Sequence, residues 1–305
     1  MREASTNLVY EFVKNDARVM ALTADGRNGV YERIRAEFPA QYMDYGIAEA
    51  NMVSSAAGLA AGGMIPFLFG TTNFIAMRAF EFIRNDVAIP NYNVKFLGIF
   101  SGLSRGGWGA THQGTEEVAL LRCLPNLVVI TPATPIEARE ATRFAYEHDG
   151  PVYIRLEASG EPEYLPEDYM FAVGKGQEIR AGHDVTLITM GAILDAAMQA
   201  AEEAKQRGLS VRVLNMPTLK PIDANLIKSA AKETKGILTM EEHAVEGGLG
   251  SAVAEVLAES GIATRFCRLG LHGCATGCGN RDEIRALNHI SKEDVMRRIW
   301  NMMEQ

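Results

Sequence analysis

Apolar and polar positions along the chain follow two alternating rhythms. Residues 4–15 carry a helical spacing of apolar side chains, and Val19-Met20-Ala21-Leu22-Thr23 reads as a short buried strand. Gly29 to Phe38 returns to a helical pattern that Pro39 stops. After Glu49 comes a helix of small residues, with Ser54, Ser55, Ala56, Ala57, Gly58, Ala60 and Ala61 set among Val53 and Leu59. Such a surface allows close approach of a second helix, within the chain or across a subunit boundary. Another helix is predicted from roughly Asn73 to Ile89, before Pro90. Val94–Phe100, Leu127–Thr131 and Val152–Leu156 are apolar runs of strand length, as expected of strands covered on both faces. Between the last two, Thr134-Pro135 with Glu137 in the first turn marks a helix start, and Asp149-Gly150-Pro151 marks its end.

Residues 157–180 break the rhythm. Glu157, Glu161, Pro162, Glu163, Pro166, Glu167 and Asp168 crowd there and read as an exposed linker. The alternation then resumes: strands at Val185–Thr189, Val211–Leu214, Ile237–Met240 and Arg265–Leu269, and helices at 192–207, near 223–231 and at 249–259. Ser291-x-x-Asp294 resembles a capping box for a final helix. Alternating strands and helices specify an α/β fold with parallel or mixed sheets covered by helices on both faces. Two units are expected, at 1–165 and 181–305, joined by the linker 166–180.

Composition narrows the class. The chain of 305 residues suffices for two full cores, and 47% apolar with 22% charged residues is ordinary for a globular protein. A formal net charge of −8 argues against a nucleic-acid or anionic-membrane surface. No apolar run is long enough to span a bilayer, and Met1-Arg2-Glu3-Ala4-Ser5 has no signal-peptide character, so a cytoplasmic location is expected. The four cysteines, Cys123, Cys267, Cys274 and Cys278, do not form a disulfide framework. His272 with Cys274-x3-Cys278 suggests a metal, but zinc sites pair two such elements, so reduced cysteines in a Gly-rich turn are expected and no metal ligand is assigned.

Two short stretches carry chemistry. Asp44-Tyr45-Gly46-Ile47-Ala48-Glu49 sets one carboxyl among apolar and small residues, where burial would keep its proton on and let it donate a hydrogen bond. Gly109-Ala110-Thr111-His112-Gln113-Gly114 sets an imidazole in a Gly-rich loop, where it can move protons near neutral pH. Taken singly, Glu49 reads more readily as a surface or capping carboxylate and His112 as a structural loop residue.

In combination these stretches resemble transketolases and 1-deoxyxylulose-5-phosphate synthases. Asp44–Glu49 followed by Ser54-Ser55-Ala56-Ala57-Gly58-Leu59-Ala60, then Ala110–Gly114, Leu121-Arg122-Cys123-Leu124-Pro125-Asn126 and Thr131-Pro132, and finally Met240-Glu241-Glu242-His243-Ala244-Val245-Glu246-Gly247-Gly248-Leu249-Gly250, run in the family order. The resemblance covers the pyrimidine-binding and C-terminal domains of those thiamine diphosphate enzymes. Their Gly-Asp-Gly…Asn motif, which holds the diphosphate and Mg²⁺, has no counterpart here; Ala24-Asp25-Gly26 lies in another context. The resemblance therefore implies a split enzyme. A second polypeptide would supply the N-terminal diphosphate-binding domain and most of the Mg²⁺ site, in an assembly with two copies of each chain.

The resemblance also implies roles. Glu49, protonated, would hydrogen-bond N1′ of the aminopyrimidine and so activate thiazolium C2; His112 would contact donor hydroxyls and assist proton transfer. Asp25 matches a family aspartate close to the cofactor. Phe74, Arg78 and Phe80 lie on the segment that stacks an aromatic ring on the pyrimidine, with Phe74 and Phe80 both open as the stacking residue. Arg155 matches the arginine that holds the terminal phosphate of the substrate, as a planar fork suits, and Arg2 a second anion-binding arginine. Trp108 stands where relatives carry an acidic residue, and Phe100 and Ser101 where they carry a substrate-binding His or Arg. The expected activity is transfer of a two-carbon ketol unit from a ketose phosphate, or a related acidic ketose, to an aldose or other aldehyde. A deoxyxylulose-phosphate-synthase-like subunit that decarboxylates pyruvate and a catalytically silent structural subunit are the alternatives. A 2-oxoacid dehydrogenase β subunit fits the Thr-His-Gln-Gly region less well.

Overall fold

The computed structural model describes residues 1–25, 29–157 and 160–304. Among the described residues twelve strands form two sheets. The first contains β1 (Val19–Thr23), β2 (Tyr42–Asp44), β3 (Ile65–Thr71), β4 (Lys95–Ile99), β5 (Val128–Ile130) and β6 (Val152–Arg155), all parallel. The second contains β7 (Gln177–Arg180), β8 (Val185–Thr189), β9 (Val211–Asn215), β11 (Gly236–Ala244) and β12 (Arg265–Leu271). The intervening β10 (Thr218–Lys220) leaves its own half and pairs antiparallel with β5, giving the order β10-β5-β6-β4-β3-β1-β2 in the first sheet. The second sheet has the order β12-β11-β8-β9-β7, with only β7 antiparallel.

The period of two in each strand decides the layers. Val19, Ala21, Phe67, Phe69, Leu97, Ile99, Val152 and Ile154 face one core, closed by Val9 and Val13 of helix Arg2–Asn15 and by Ala138, Ala141 and Ala145 of helix Pro135–Glu147. Their neighbours Met20, Leu22, Leu68, Phe96 and Tyr153 face the other side, where helix Glu49–Ala61 supplies Met52, Val53 and Ala56. That second core continues into the C-terminal half through Ile188, Leu214, Ile227 and Ile237. Small side chains on 49–61 allow its close packing on the helical segment 73–88, as their spacing predicts.

Several local expectations change. Residues 73–88 are a wide π-helical turn at Asn73–Arg78, a short α-helical piece at Phe80–Phe82 and a second π-helical turn at Ile83–Ala88, not one regular helix. The stretch read as linker includes β7, paired with β9, and is tied down elsewhere. Tyr164 donates to Asp195 (3.0 Å), the N-terminal amine of Met1 meets Glu161 (2.9 Å), and Tyr169 donates to Glu137 (3.3 Å). The apolar run at 94–100 contains a buried lysine: Lys95 donates its ammonium to the carbonyls of His148 (2.7 Å) and Gly150 (2.6 Å). The capping box at Ser291 and Asp294 forms as expected, and a second one, Asn280 with Glu283, opens helix Arg281–Leu287.

Candidate functional site

The C-terminal ends of parallel strands collect the candidate residues, as the twist and polarity of open α/β sheets favour. β1 ends at Thr23 and leads to Asp25, which is exposed and adopts φ 54°; its backbone N–H donates to Asp44 Oδ1 (3.1 Å) at the end of β2. Glu49 is the first residue of helix Glu49–Ala61, and its side chain is only 3% exposed.

The surroundings of Glu49 differ from the sequence expectation. Apolar and small residues do line the approach, but Arg78 Nη1 lies 2.7 Å from Glu49 Oε2. The wide turn Asn73–Arg78 brings this guanidinium over, so the buried carboxyl is half of an ion pair with a charge-assisted hydrogen bond. The same turn seats Arg78 over the ring of Phe74, 4.9 Å from its centroid.

From Phe74 the contacts pass to the imidazole. The rings of Phe74 and His112 meet edge to face at 5.3 Å, and Trp108 meets His112 in the same manner at 4.8 Å. His112 Nδ1 shares a hydrogen bond with Thr111 Oγ1 (3.0 Å). The loop that carries it is pinned from both sides. Asn73 Nδ2 donates to the carbonyls of Thr111 (3.2 Å) and Gln113 (3.1 Å), and Gln113 Nε2 reaches Gly106 O (3.2 Å) and, in the C-terminal half, Gly277 O (3.4 Å). Gly114 fits because a Cβ there would lie 2.7 Å from Thr72 Cγ2. Further along, Arg105 stacks over Trp108 at 4.3 Å and over Phe100 at 3.7 Å, and Arg2 lies 5.6 Å from the centroid of the same Phe100 ring. Glu49, Arg78, Phe74, His112, Trp108, Arg105, Phe100 and Arg2 therefore form one continuous series of contacts.

Three expected residues lie outside the series. Asp25 is exposed and, among the described residues, is tied only by its backbone N–H to Asp44. Phe80 packs against the core shared by both halves, whereas Phe74 stands among the site residues, so Phe74 is the aromatic ring beside Arg78 and His112. Arg155 is fully buried. Its Nε donates to Glu117 (2.6 Å), and Nη2 donates to the carbonyls of Gly114 (3.0 Å) and Glu242 (2.9 Å). With its N–H groups committed inward, it fastens the two halves and does not present a fork to a substrate. Glu157 and Glu242 extend this cluster to Arg281 and Arg285. Sequence reasoning missed Arg105 and Asn73; for Arg105 the available signal was an arginine in the Gly-rich loop flanked by Phe100 and Trp108.

The cysteine motif takes no part in a ligand cluster. Cys274 donates its thiol to Glu116 (3.1 Å), and that bond holds the thiol above its ordinary range. Among the described residues no group of three or more His, Cys, Asp or Glu is placed to hold a metal ion. No helix among them is long and apolar enough to cross a membrane.

Residues 1–159 match the transketolase pyrimidine-binding domain and residues 174–295 the transketolase C-terminal domain. The chain belongs to the transketolase family. One of the subunits of the apulose-4-phosphate transketolase of Phocaeicola vulgatus is 34% identical over 296 residues, covering 96% of this chain and 94% of the relative. The 6-deoxy-6-sulfo-D-fructose transketolase subunit SqwH of Clostridium sp. strain MSTE9 is 34% identical over 307 residues, covering 100% and 95%. Among solved structures, a split gene transketolase in an inactive β4 tetramer superposes with a TM-score of 0.91 at 36% identity, covering 99% of this chain and 98% of that one. The chain is thus a transferase of the transketolase type, in the branch whose members are separate subunits. The family depends on thiamine diphosphate. Glu49, buried and joined through Arg78 to Phe74, sets a carboxyl beside an aromatic ring, and the carboxyl could donate to an aminopyrimidine only when protonated and released from Arg78; in that form these residues fit that half of the cofactor.

Proposed function

We propose that this chain is the C-terminal subunit of a split transketolase, which moves a two-carbon ketol unit from an anionic ketose to an aldehyde once a second polypeptide supplies the diphosphate and Mg²⁺ site. The observation that carries the reading is the contact series from Glu49 through Arg78 and Phe74 to His112 at the strand ends. When bound, thiamine diphosphate supplies the electron sink for C–C cleavage. Glu49 would hold a proton toward the pyrimidine once its pair with Arg78 opens. Phe74 gives the aminopyrimidine a flat apolar wall. His112, oriented by Thr111, takes and returns protons at the donor and acceptor hydroxyls.

A partner chain has a surface to cover. Ile47 is 73% exposed and Met43 45% exposed, and both flank the approach to Glu49; Met77 is exposed beside Arg78. Apolar side chains clustered around a polar centre are what an obligate subunit contact buries. The substrates named for the two subunit relatives, one a phosphate and one a sulfonate, support an anionic ketose.

The test is to co-purify the chain with a polypeptide bearing the Gly-Asp-Gly…Asn domain, add thiamine diphosphate and Mg²⁺, and assay ketol transfer beside pyruvate decarboxylation. Ketol transfer that needs both chains is expected. Glu49→Ala should assemble and lose at least about a hundredfold in turnover, the scale of a lost acid–base group. Turnover by this chain alone, or pyruvate consumption without ketol transfer, would reject the proposal.

A further inference from the structure

We propose that Arg105 determines donor specificity: with Arg2, which shares the ring of Phe100, it grips the tetrahedral oxyanion at the far end of the ketose. The inference rests on the transketolase reading above and names the anion-binding residues of that site.

The argument begins with an imbalance. Arg105 lies 3.7 Å and Arg2 5.6 Å from the Phe100 ring centroid, so two guanidinium groups share one aromatic ring. Neither has a carboxylate partner among the described residues. The Nε atoms of both are buried and unpartnered. Burial first, and the neighbouring Arg2 charge second, hold the Arg105 guanidinium below its ordinary range. Two like charges at close quarters, partly withdrawn from water and without a counter-ion among the described residues, are unfavourable alone and are relieved by an anion that accepts from both. Elsewhere in the molecule buried arginines are neutralised: Arg155 and Arg285 each meet glutamates.

The geometry also places the pair correctly. Arg105 is held against Trp108, and Trp108 against His112, so the two guanidiniums lie beyond the imidazole along the same contact series that starts at Glu49. Phe100 presents its ring to both from a backbone at φ 60°, a conformation that a bulky residue adopts only when its surroundings enforce it. Arg155, the sequence candidate for this task, is closed off inside the protein. Phosphate and sulfonate share the required chemistry, three terminal oxygens on a tetrahedral centre that accept from planar forks.

Two measurements test this. Binding of inorganic sulfate to the full chain, followed calorimetrically, should weaken about tenfold or more in Arg105→Gln, the loss expected for a charge-assisted contact. In the assembled enzyme, the ratio of kcat/KM for fructose 6-phosphate to that for fructose, and for xylulose 5-phosphate to xylulose, should fall by a similar factor. Arg105→Lys, which keeps the charge and loses the fork, should fall between, and it serves as the test if the glutamine variant does not assemble. Sulfate bound equally by wild type and variant, or not bound by the wild type, overturns the clamp; so does an unchanged ratio. If sulfate binding responds as expected while the assembled wild type transfers no ketol unit from any donor, the anion site stands and the transketolase reading falls.

Discussion

A guanidinium holds a substrate anion only if some of its N–H groups are free to point at it. Arg155 has spent its own on Glu117, Gly114 and Glu242, and its side chain is fully enclosed. Its type and its position at the end of β6 were legible in the sequence; the glutamate waiting for it at position 117 was not, because that pairing joins distant segments. The same holds for Glu49, whose burial was legible but whose partner Arg78 arrives through an irregular turn. A consequence follows for stability. Arg155→Met would strand Glu117 as a buried charge and should cost about 3–5 kcal/mol, whereas Glu117→Leu combined with Arg155→Met removes both charges and should cost less. Urea unfolding of the three proteins measures both changes. A single variant as stable as wild type, with only the donor KM raised, would return Arg155 to the substrate.

At the scale of elements, the strands and helices with a clean period were readable and the irregular ones were not. Val19–Thr23, Val185–Thr189 and the capped helix at Pro135 emerged as expected, because local pattern and burial agree there. β3 was missed since Pro66 and Gly70 interrupt its apolar run, and β2 since its three residues lie at a partly exposed edge. β10 could not be read from its own half, since its partner β5 belongs to the other. The loop 100–116 depends on such long-range support. Gly114→Ala would force a Cβ to within 2.7 Å of Thr72 Cγ2 and 3.0 Å of Asn73 Oδ1. The strand end and the Asn73 side chain must then give way, shifting His112. We expect kcat/KM for ketol transfer to fall at least about tenfold, since small misplacements of catalytic groups are costly. Thermal unfolding should change little by comparison, because the clash is confined to Thr72 and Asn73 just past the end of one strand. Activity within twofold of wild type, on the order of measurement scatter in such assays, would show that His112 does not need this loop geometry.

On the scale of the whole molecule, the buried Glu137–Asn215 bonds join the two halves, and Glu137 together with titratable groups buried inside each half gives the protein a characteristic pH response. Glu137, at the start of its helix in the first half, accepts from Asn215 of β9 through both carboxylate oxygens (2.9 Å each) and from the backbone of Ala133 (2.7 Å). Burial outweighs these bonds and pushes its carboxyl up from 4.5 to about 7; burial does the same to Glu241, which ends at about 7. Lys95 moves the other way, pushed down by burial from 10.5 to about 7. As pH rises from about 4.5 to 7, the unfolded chain releases protons that folded Glu137 and Glu241 retain, so their contribution to stability falls. As pH rises further from 7 to 10.5, the folded state has lost the Lys95 proton while the unfolded chain keeps it, so stability from that group recovers. Asp16 and Asp184 act in the opposite sense at the acid end. Hydrogen bonds from Arg18 and Lys235 hold their carboxyls low, so their contribution is lost only as pH drops below the usual carboxylate range. The buried glutamate term is isolated by difference. Glutamine resembles the protonated acid and does not titrate, so Glu137→Gln should match wild type near pH 4.5 and gain on it as pH rises toward about 8. The gain should be on the order of 3 kcal/mol for a shift of this size. Urea unfolding of both proteins at the two pH values gives the result directly. A stability difference that stays constant across that range would mean that Glu137 is already ionised in the folded protein, and that Asn215 and the Ala133 amide, not a retained proton, satisfy it at the seam.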